Sequence, residues 1–208
     1  MNNFIKRILS AIILIPLALY FIVHGSYMLI FFTSICFLVA CYEWHMMTKK
    51  KIFKIYGLIF LFFSFYTFYE LSLQLTLVFF IILICVSTDI GGYVFGKIFK
   101  GPKLTKISPN KTYAGMIGGY FLSLICLAVI TNYANYPHIP IQFFLLTLLI
   151  STVSQIGDII ISYFKRLSKI KDTGKIIPGH GGLLDRIDGM IFAFPISYLV
   201  NLTGCLNV

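Results

Sequence analysis

The sequence predicts an all-α, polytopic integral membrane protein of about seven transmembrane helices with a cytoplasmic N-terminus, and three observations carry that expectation. Of the 208 residues, 59% are hydrophobic and only 12% are charged, and the mean hydropathy is strongly positive, a balance foreign to water-soluble domains of this size. About seven apolar windows follow one another, each near the ~20 residues that a helix needs to cross a bilayer. When those windows alternate across the membrane, all 17 Lys and Arg residues fall on one side, as the positive-inside rule requires.

The windows lie near residues 8–24, 27–46, 55–70, 71–88, 113–131, 141–162 and 189–206. The first follows Lys6 and Arg7 like a signal peptide, but no small-residue cleavage pattern comes after it, so it reads as a retained span. The second closes on Glu43 and Trp44, which read as interfacial anchors. A tight turn around Glu70 separates the third from the fourth, and Asp89 begins a polar loop after the fourth. Before the fifth, Ser108 followed by Pro109 reads as an N-cap with proline at the first helical position.

With the N-terminus inside, Lys49, Lys50, Lys51 and Lys54 are inside, as are Lys97, Lys100, Lys103, Lys106 and Lys111. The third inner segment carries Lys165, Arg166, Lys169, Lys171, Lys175 and Arg186. The outer loops, around His24-Gly25-Ser26, Glu70 and Thr131 to Pro140, hold no basic residue, and Glu70 is the one acidic residue outside. In this apolar context the basic excess points to anionic lipid headgroups and anionic substrates rather than nucleic acid. Cys36, Cys41, Cys85, Cys126 and Cys205 sit singly among apolar residues and read as packing residues. No internal repeat divides residues 1–208, which read as one membrane-embedded domain with polar segments 89–115 and 155–190 at the cytoplasmic side.

The chemistry concentrates between Asp158 and Asp188. On a helix, Asp158, Ser162, Lys165 and Arg166 share a face. Asp158 lies close to the lipid-buried part of its span, where a carboxylate needs a metal or a cation beside it. Residues Pro178-Gly179-His180-Gly181-Gly182 cannot sustain a helix and let backbone approach a bulky anion such as a triphosphate. Asp185 and Asp188, three apart on the helix that opens the last span, join Asp158 as hard oxygen donors suited to Mg²⁺. The helix that follows Ser108-Pro109-Asn110-Lys111-Thr112 would present N–H groups and Lys111 to an anion.

Plainer readings stand beside these. The inner lysines serve topology, the three aspartates could pair with Lys165, Arg166 or Arg186, His180 could cap a turn, and Asp89 is balanced between capping and substrate contact. A carrier of anionic metabolites would also use buried carboxylates and a basic vestibule, but these carboxylates gather near one face and no inverted repeat accompanies them. The Asp-Gly…Ala-Arg…Gly…Asp…Asp run of the membrane phosphotransferases that consume CDP-alcohols is missing, and a structural protein would have no use for so much inner Asp, His and Gly.

The run Ser162-Tyr163-Phe164-Lys165-Arg166, Lys171-Asp172, His180-Gly181-Gly182 and Asp185-Arg186-Ile187-Asp188 resembles the signature of the phosphatidate cytidylyltransferase, or CDP-diacylglycerol synthase, family. The resemblance extends to Asp89-Ile90-Gly91-Gly92-Tyr93, to Ile107-Ser108-Pro109-Asn110-Lys111-Thr112 and to residues 7–16. It implies a homodimer in the bacterial inner membrane, with the active site facing the cytoplasm. There CTP and phosphatidate give CDP-diacylglycerol and pyrophosphate in phospholipid biosynthesis. It also implies a dinuclear site of Mg²⁺ with K⁺ as second ion, on Asp158, Asp185 and Asp188.

Asp158, Asp185, Asp188, Lys165, Arg166 and His180 are then expected to be catalytic. Ser162, with Lys165 and Arg166, would hold the lipid phosphate. Ser108, Asn110, Lys111 and the Gly181-Gly182 turn would hold the nucleotide, with Thr112, Asp89 and Arg186 as further substrate contacts. Two departures stand out: Ala114 follows Tyr113 where the family has an acidic residue, and the chain is short for the family at its N-terminal side, which bears on the dimer interface more than on chemistry.

Overall fold

The computed structural model describes residues 3–105, 108, 110–135, 138–177, 179 and 181–204, with backbone alone for 3–11 and 26. Among the described residues all regular structure is helical: α1 (Asn3–His24), α2 (Ser26–Met47), α3 (Lys51–Ser72), α4 (Leu75–Phe99), α5 (Tyr113–Tyr133), α6 (Ile141–Leu167), α7 (Leu184–Ile187) and α8 (Met190–Leu202). Every apolar window overlaps a helix. Five helical stretches, Tyr27–Met47, Lys51–Ser72, Leu75–Phe99, Tyr113–Tyr133 and Ile141–Leu167, are long and apolar enough to cross a membrane, whereas Ile12–His24 and Met190–Leu202 are shorter apolar helices. Large apolar side chains such as Phe31, Leu38, Phe62, Ile117 and Val129 stand exposed along them, a surface that lipid solvates and water does not.

The chain forms two compact units. The first comprises Met1–Leu75 and Phe164–Asp188. Gly25, at φ +58°, makes the sharp turn from α1 to α2, and Phe21 stacks on Phe32 across it at 5.0 Å. Phe37 of α2 meets Phe62 and Phe65 of α3 edge-on. Trp44 corrects the expectation of an interfacial anchor. It is only 6% exposed, because Gly57 leaves a slot that any Cβ would fill and the Phe53 carbonyl accepts from its Nε1 at 3.1 Å. Phe164, in the last turn of α6, packs edge-on against the indole at 4.8 Å. The turn after α3 lies at Leu73 and Gln74, so Glu70 remains within the helix.

A second correction falls on Asp185 and Asp188. They do not ride on the helix of the last apolar stretch, since α7 ends at Ile187, Asp188 caps it, and α8 begins at Met190.

The second unit comprises Thr76–Tyr163 and Gly189–Val208. Here α4 runs on through Asp89 to Phe99, so Asp89-Ile90-Gly91-Gly92-Tyr93 is helix rather than the expected loop. The cause is a seam of glycines. A Cβ on Gly91 would fall on the Gly118 carbonyl, one on Gly118 would fall on Phe95, and one on Gly115 would crowd the Gly92 carbonyl. Small residues at such positions let two backbones touch, and in lipid that packing replaces hydrophobic driving force. At 1.5 Å per residue the 25 residues of α4 span about 37 Å, beyond the ~30 Å of hydrocarbon. Polar hydrogen bonds tie α6 to its neighbours: Thr88 to Ser151 at 3.1 Å and Tyr120 to Thr152 at 2.8 Å.

The loop before α5 also differs from expectation. Thr112, not Ser108, is the N-cap, with its hydroxyl accepting from Gly115 N–H at 3.1 Å. Leu104 N–H donates to Lys111 O at 2.7 Å, Tyr113 N–H to Pro102 O at 3.2 Å and Lys111 N–H to Ser108 O at 3.0 Å, so Lys111 to Tyr113 folds back on Pro102 to Leu104. This leaves Ser108 in a turn ahead of the helix.

The seam sets up a contrast between adjacent glycines. Gly91→Ala should destabilise the protein by about 1–3 kcal/mol, since rigid backbone faces the new methyl. Gly92→Ala, whose Cβ would meet nothing closer than 3.7 Å, should be neutral or stabilising by up to ~1 kcal/mol through helix propensity. Thermal unfolding in detergent, followed by circular dichroism, checks both.

Candidate active site

In the second unit the folded-back loop, α4 and α6 enclose a cavity of about 320 Å³. Asp89 and Gly92 enter from α4, Ser108, Asn110, Lys111 and Thr112 from the loop and cap, and Gln155 and Asp158 from α6. Lys111 Nζ lies 2.5 Å from Asp158 Oδ2, with both side chains partly open to solvent. Asp89 lies in electrostatic range of both. Ser162, one turn beyond Asp158, points its hydroxyl at Asp158 Oδ1 from 3.4 Å. Gln155 reaches Met116 O at 3.5 Å and Ser151 Oγ at 3.4 Å, which fixes the α6 wall. The cavity thus offers a cation, hydroxyls and two amides beside two carboxylates, which can bind a phosphate chain directly or through a divalent ion.

In the first unit the signature segment is organised around Asp185. Its Oδ1 accepts from Lys165 Nζ at 2.9 Å, and its Oδ2 accepts from the N–H groups of Thr173 at 2.8 Å and Gly182 at 3.1 Å. Asp185 is 5% exposed and Lys165 12%. Gly181 sits at φ +88° against Asp185 and Asp172, so the turn requires glycine for both conformation and space. Arg166 turns away to the Ile170 carbonyl at 3.2 Å. Arg186 belongs to α7 and Asp188 follows it, and His180 lies outside the described residues. A second cavity, of about 390 Å³, opens beside Met47, Lys171, Asp172 and Lys175.

The expected site residues therefore gather in two sets. Asp89, Ser108, Asn110, Lys111, Thr112 and Asp158 line one cavity, with Ser162 adjoining. Lys165, Gly182 and Asp185 share one hydrogen-bond network, with Gly181 packed against the aspartate. Glu43, Thr173 and Gln155 escaped the sequence reading. The signal was present for Glu43, since an ionisable residue within an apolar span marks a site by default. It is 1% exposed and bound to the signature segment rather than anchored at an interface.

Among the described residues no three Asp, Glu, His or Cys side chains form a ready metal cage. The donors nevertheless suit Mg²⁺, which takes one or two carboxylates and completes its shell with water and substrate phosphates. Asp89 and Asp158 face the same cavity, and Asp185 keeps one lone pair, on Oδ1, beyond its three donors.

Comparison with known proteins identifies the family. Residues 55–203 match the cytidylyltransferase family. The phosphatidate cytidylyltransferase of Rickettsia felis is 34% identical over 97% of this chain and 93% of its own length. That of Rickettsia conorii is 36% identical over 97% and 92%. The Bacillus subtilis enzyme of the same name is 40% identical over 61% of this chain and 47% of its own. With a match to the family over residues 55–203, apolar helices long enough for a bilayer and likeness along nearly the whole chain, this protein belongs to the phosphatidate cytidylyltransferase family of nucleotidyltransferase enzymes.

Proposed function

We propose that the protein transfers the cytidylyl group of CTP to phosphatidate, giving CDP-diacylglycerol and pyrophosphate. One observation carries this reading furthest: Lys111 paired with Asp158 across a cavity that also presents Asp89, Ser108, Asn110 and Thr112. An oxygen of the lipid phosphate attacks the α-phosphorus of CTP, the bond to the β-phosphate breaks, and pyrophosphate departs with that bridging oxygen. Little covalent work falls to the protein, so positioning and charge neutralisation dominate.

Lys111, Ser108, Asn110 and the Gly181-Gly182 turn hold the nucleotide phosphates, with Thr112, Asp89 and Arg186 assisting, while Ser162, Lys165 and Arg166 hold the lipid phosphate. Substrate phosphate competes with Asp158 for Lys111, which frees that carboxylate as the anion arrives. His180 stands in this reading as a further catalytic group. Mg²⁺, with K⁺ as second ion, would be held by oxygens drawn from Asp158, Asp185 and Asp188 and would supply charge neutralisation at the reacting phosphates.

The same reading takes the chain as seven spans of a homodimer in the bacterial inner membrane, forming one domain with its N-terminus and polar segments cytoplasmic. The support is the one-sided distribution of Lys and Arg. A single cysteine placed at Asn135 in a cysteine-free background should react with impermeant maleimide in intact cells, and one at Lys100 should react only after lysis. The reverse pattern would invert the topology.

Purified protein given CTP, phosphatidate and Mg²⁺ should release pyrophosphate only when lipid is present, and Asp185→Asn should not. Absence of turnover from folded protein across Mg²⁺ and K⁺ conditions would favour an anion carrier instead. Lys111→Ala should raise KM for CTP by about 10-fold or more, the worth of one charge-assisted hydrogen bond, and KM for phosphatidate far less. A larger rise for phosphatidate would exchange the roles of the two binding sets.

A further inference from the structure

A second carboxylate of the first unit with three donors belongs to neither the signature nor the cavity. Glu43 lies one turn from the C-terminal end of α2, is 1% exposed, and accepts three hydrogen bonds from residues at least 130 positions away. Its Oε1 accepts from Leu183 N–H at 2.9 Å. Its Oε2 accepts from Leu184 N–H at 2.9 Å and from the Thr173 hydroxyl at 3.0 Å.

The surrounding chain is shaped to admit it. A Cβ on Gly174 would press on Glu43 Oε1, and one on Gly182 would meet both Thr173 Oγ1 and Glu43 Oε2. The short helix α7 has no cap of its own, so Glu43 satisfies the first N–H groups at its start. The two strands of chain that Glu43 grips, around Thr173 and around Gly182 to Leu184, are the same two whose Thr173 and Gly182 N–H groups hold Asp185 Oδ2.

We infer that Glu43 is a positioning residue for the cytidylyl transfer: it clamps the stretch at Thr173 to the stretch at Leu183 and Leu184 and thereby sets where Asp185 and its partner Lys165 stand. The inference deepens the proposed function and rests on it. A residue that only filled space would need no carboxylate here, and an apolar side chain would avoid the cost of a charge within the span. The donors are two backbone N–H groups and a hydroxyl, so an acceptor with two oxygens is what the pocket is built to receive. Glutamine is the informative replacement, because it keeps the volume while turning an N–H toward an N–H or O–H whichever way the amide lies.

The test is pyrophosphate release per folded molecule, with kcat and both KM values, beside a melting curve in detergent. Glu43→Gln should lower kcat by about 10- to 100-fold, the range expected when a reacting group is misplaced by an ångström or less, while KM for CTP and for phosphatidate moves far less. Thr173→Val, which loses the hydroxyl at equal volume, should show a smaller fall in kcat, and Thr173→Ser should restore it. The double variant Glu43→Gln/Thr173→Val should be no slower than Glu43→Gln alone, since both break one clamp.

Wild-type kcat in folded Glu43→Gln, with only a lower melting temperature, overturns the inference and leaves the proposed function standing. Lack of lipid-dependent turnover in the wild type overturns both. If Glu43→Gln does not accumulate as folded protein, the Thr173 pair decides alone: equal kcat for Val and Ser overturns the clamp, and a loss in Val restored by Ser supports it.

Discussion

A carboxylate near hydrocarbon is tolerated only where donors surround it, because water is not there to do so. Each well-placed acid of this protein meets that condition by a different route. Asp158 takes a lysine from the loop before α5, Asp185 takes a lysine and two backbone N–H groups, and Glu43 takes two N–H groups and a hydroxyl. The non-helical chain at Lys111, Thr173 and Gly182 gives these acids partners that helices, whose N–H groups are already committed, cannot provide.

Glycine performs two separate tasks in meeting the same constraint. Along α4 and α5 it removes side chains so that helix backbones touch, and the Asp89 turn of α4 is thereby held beside the loop that carries Lys111. In the signature segment, Gly174 and Gly182 make room for one carboxylate and Gly181 for another. The first task builds a wall and the second builds a socket.

Much of this was legible in the sequence. The apolar windows were clear because a bilayer imposes one length and one composition on every crossing, and the signature residues stood out because acids and glycines are costly in such a chain. Local interruptions were harder to read. Asp89 with two glycines looked like the start of a loop, yet close packing against Gly115 and Gly118 keeps α4 helical. Ser108-Pro109 looked like a cap, yet the fold-back of Lys111 to Tyr113 on Pro102 to Leu104 gives that role to Thr112. Glu43 and Trp44 looked interfacial because a one-dimensional reading places them at the end of a span. Their burial depends on Gly57 of the next helix and on Phe164, Thr173, Leu183 and Leu184, which lie far along the chain.

That distance has a bearing on how the protein is made. Glu43 emerges 130 residues before Thr173 and 141 before Leu184, and at ~5–20 residues per second the wait is on the order of ten seconds. Throughout that interval α2 is a membrane segment bearing an acid whose three donors have not been synthesised. Its carboxylate must be served meanwhile by water, by lipid headgroups or by the insertion machinery. The first unit is therefore finished late, and a chain halted before residue 184 would leave an unserved acid in the bilayer that membrane quality control could recognise.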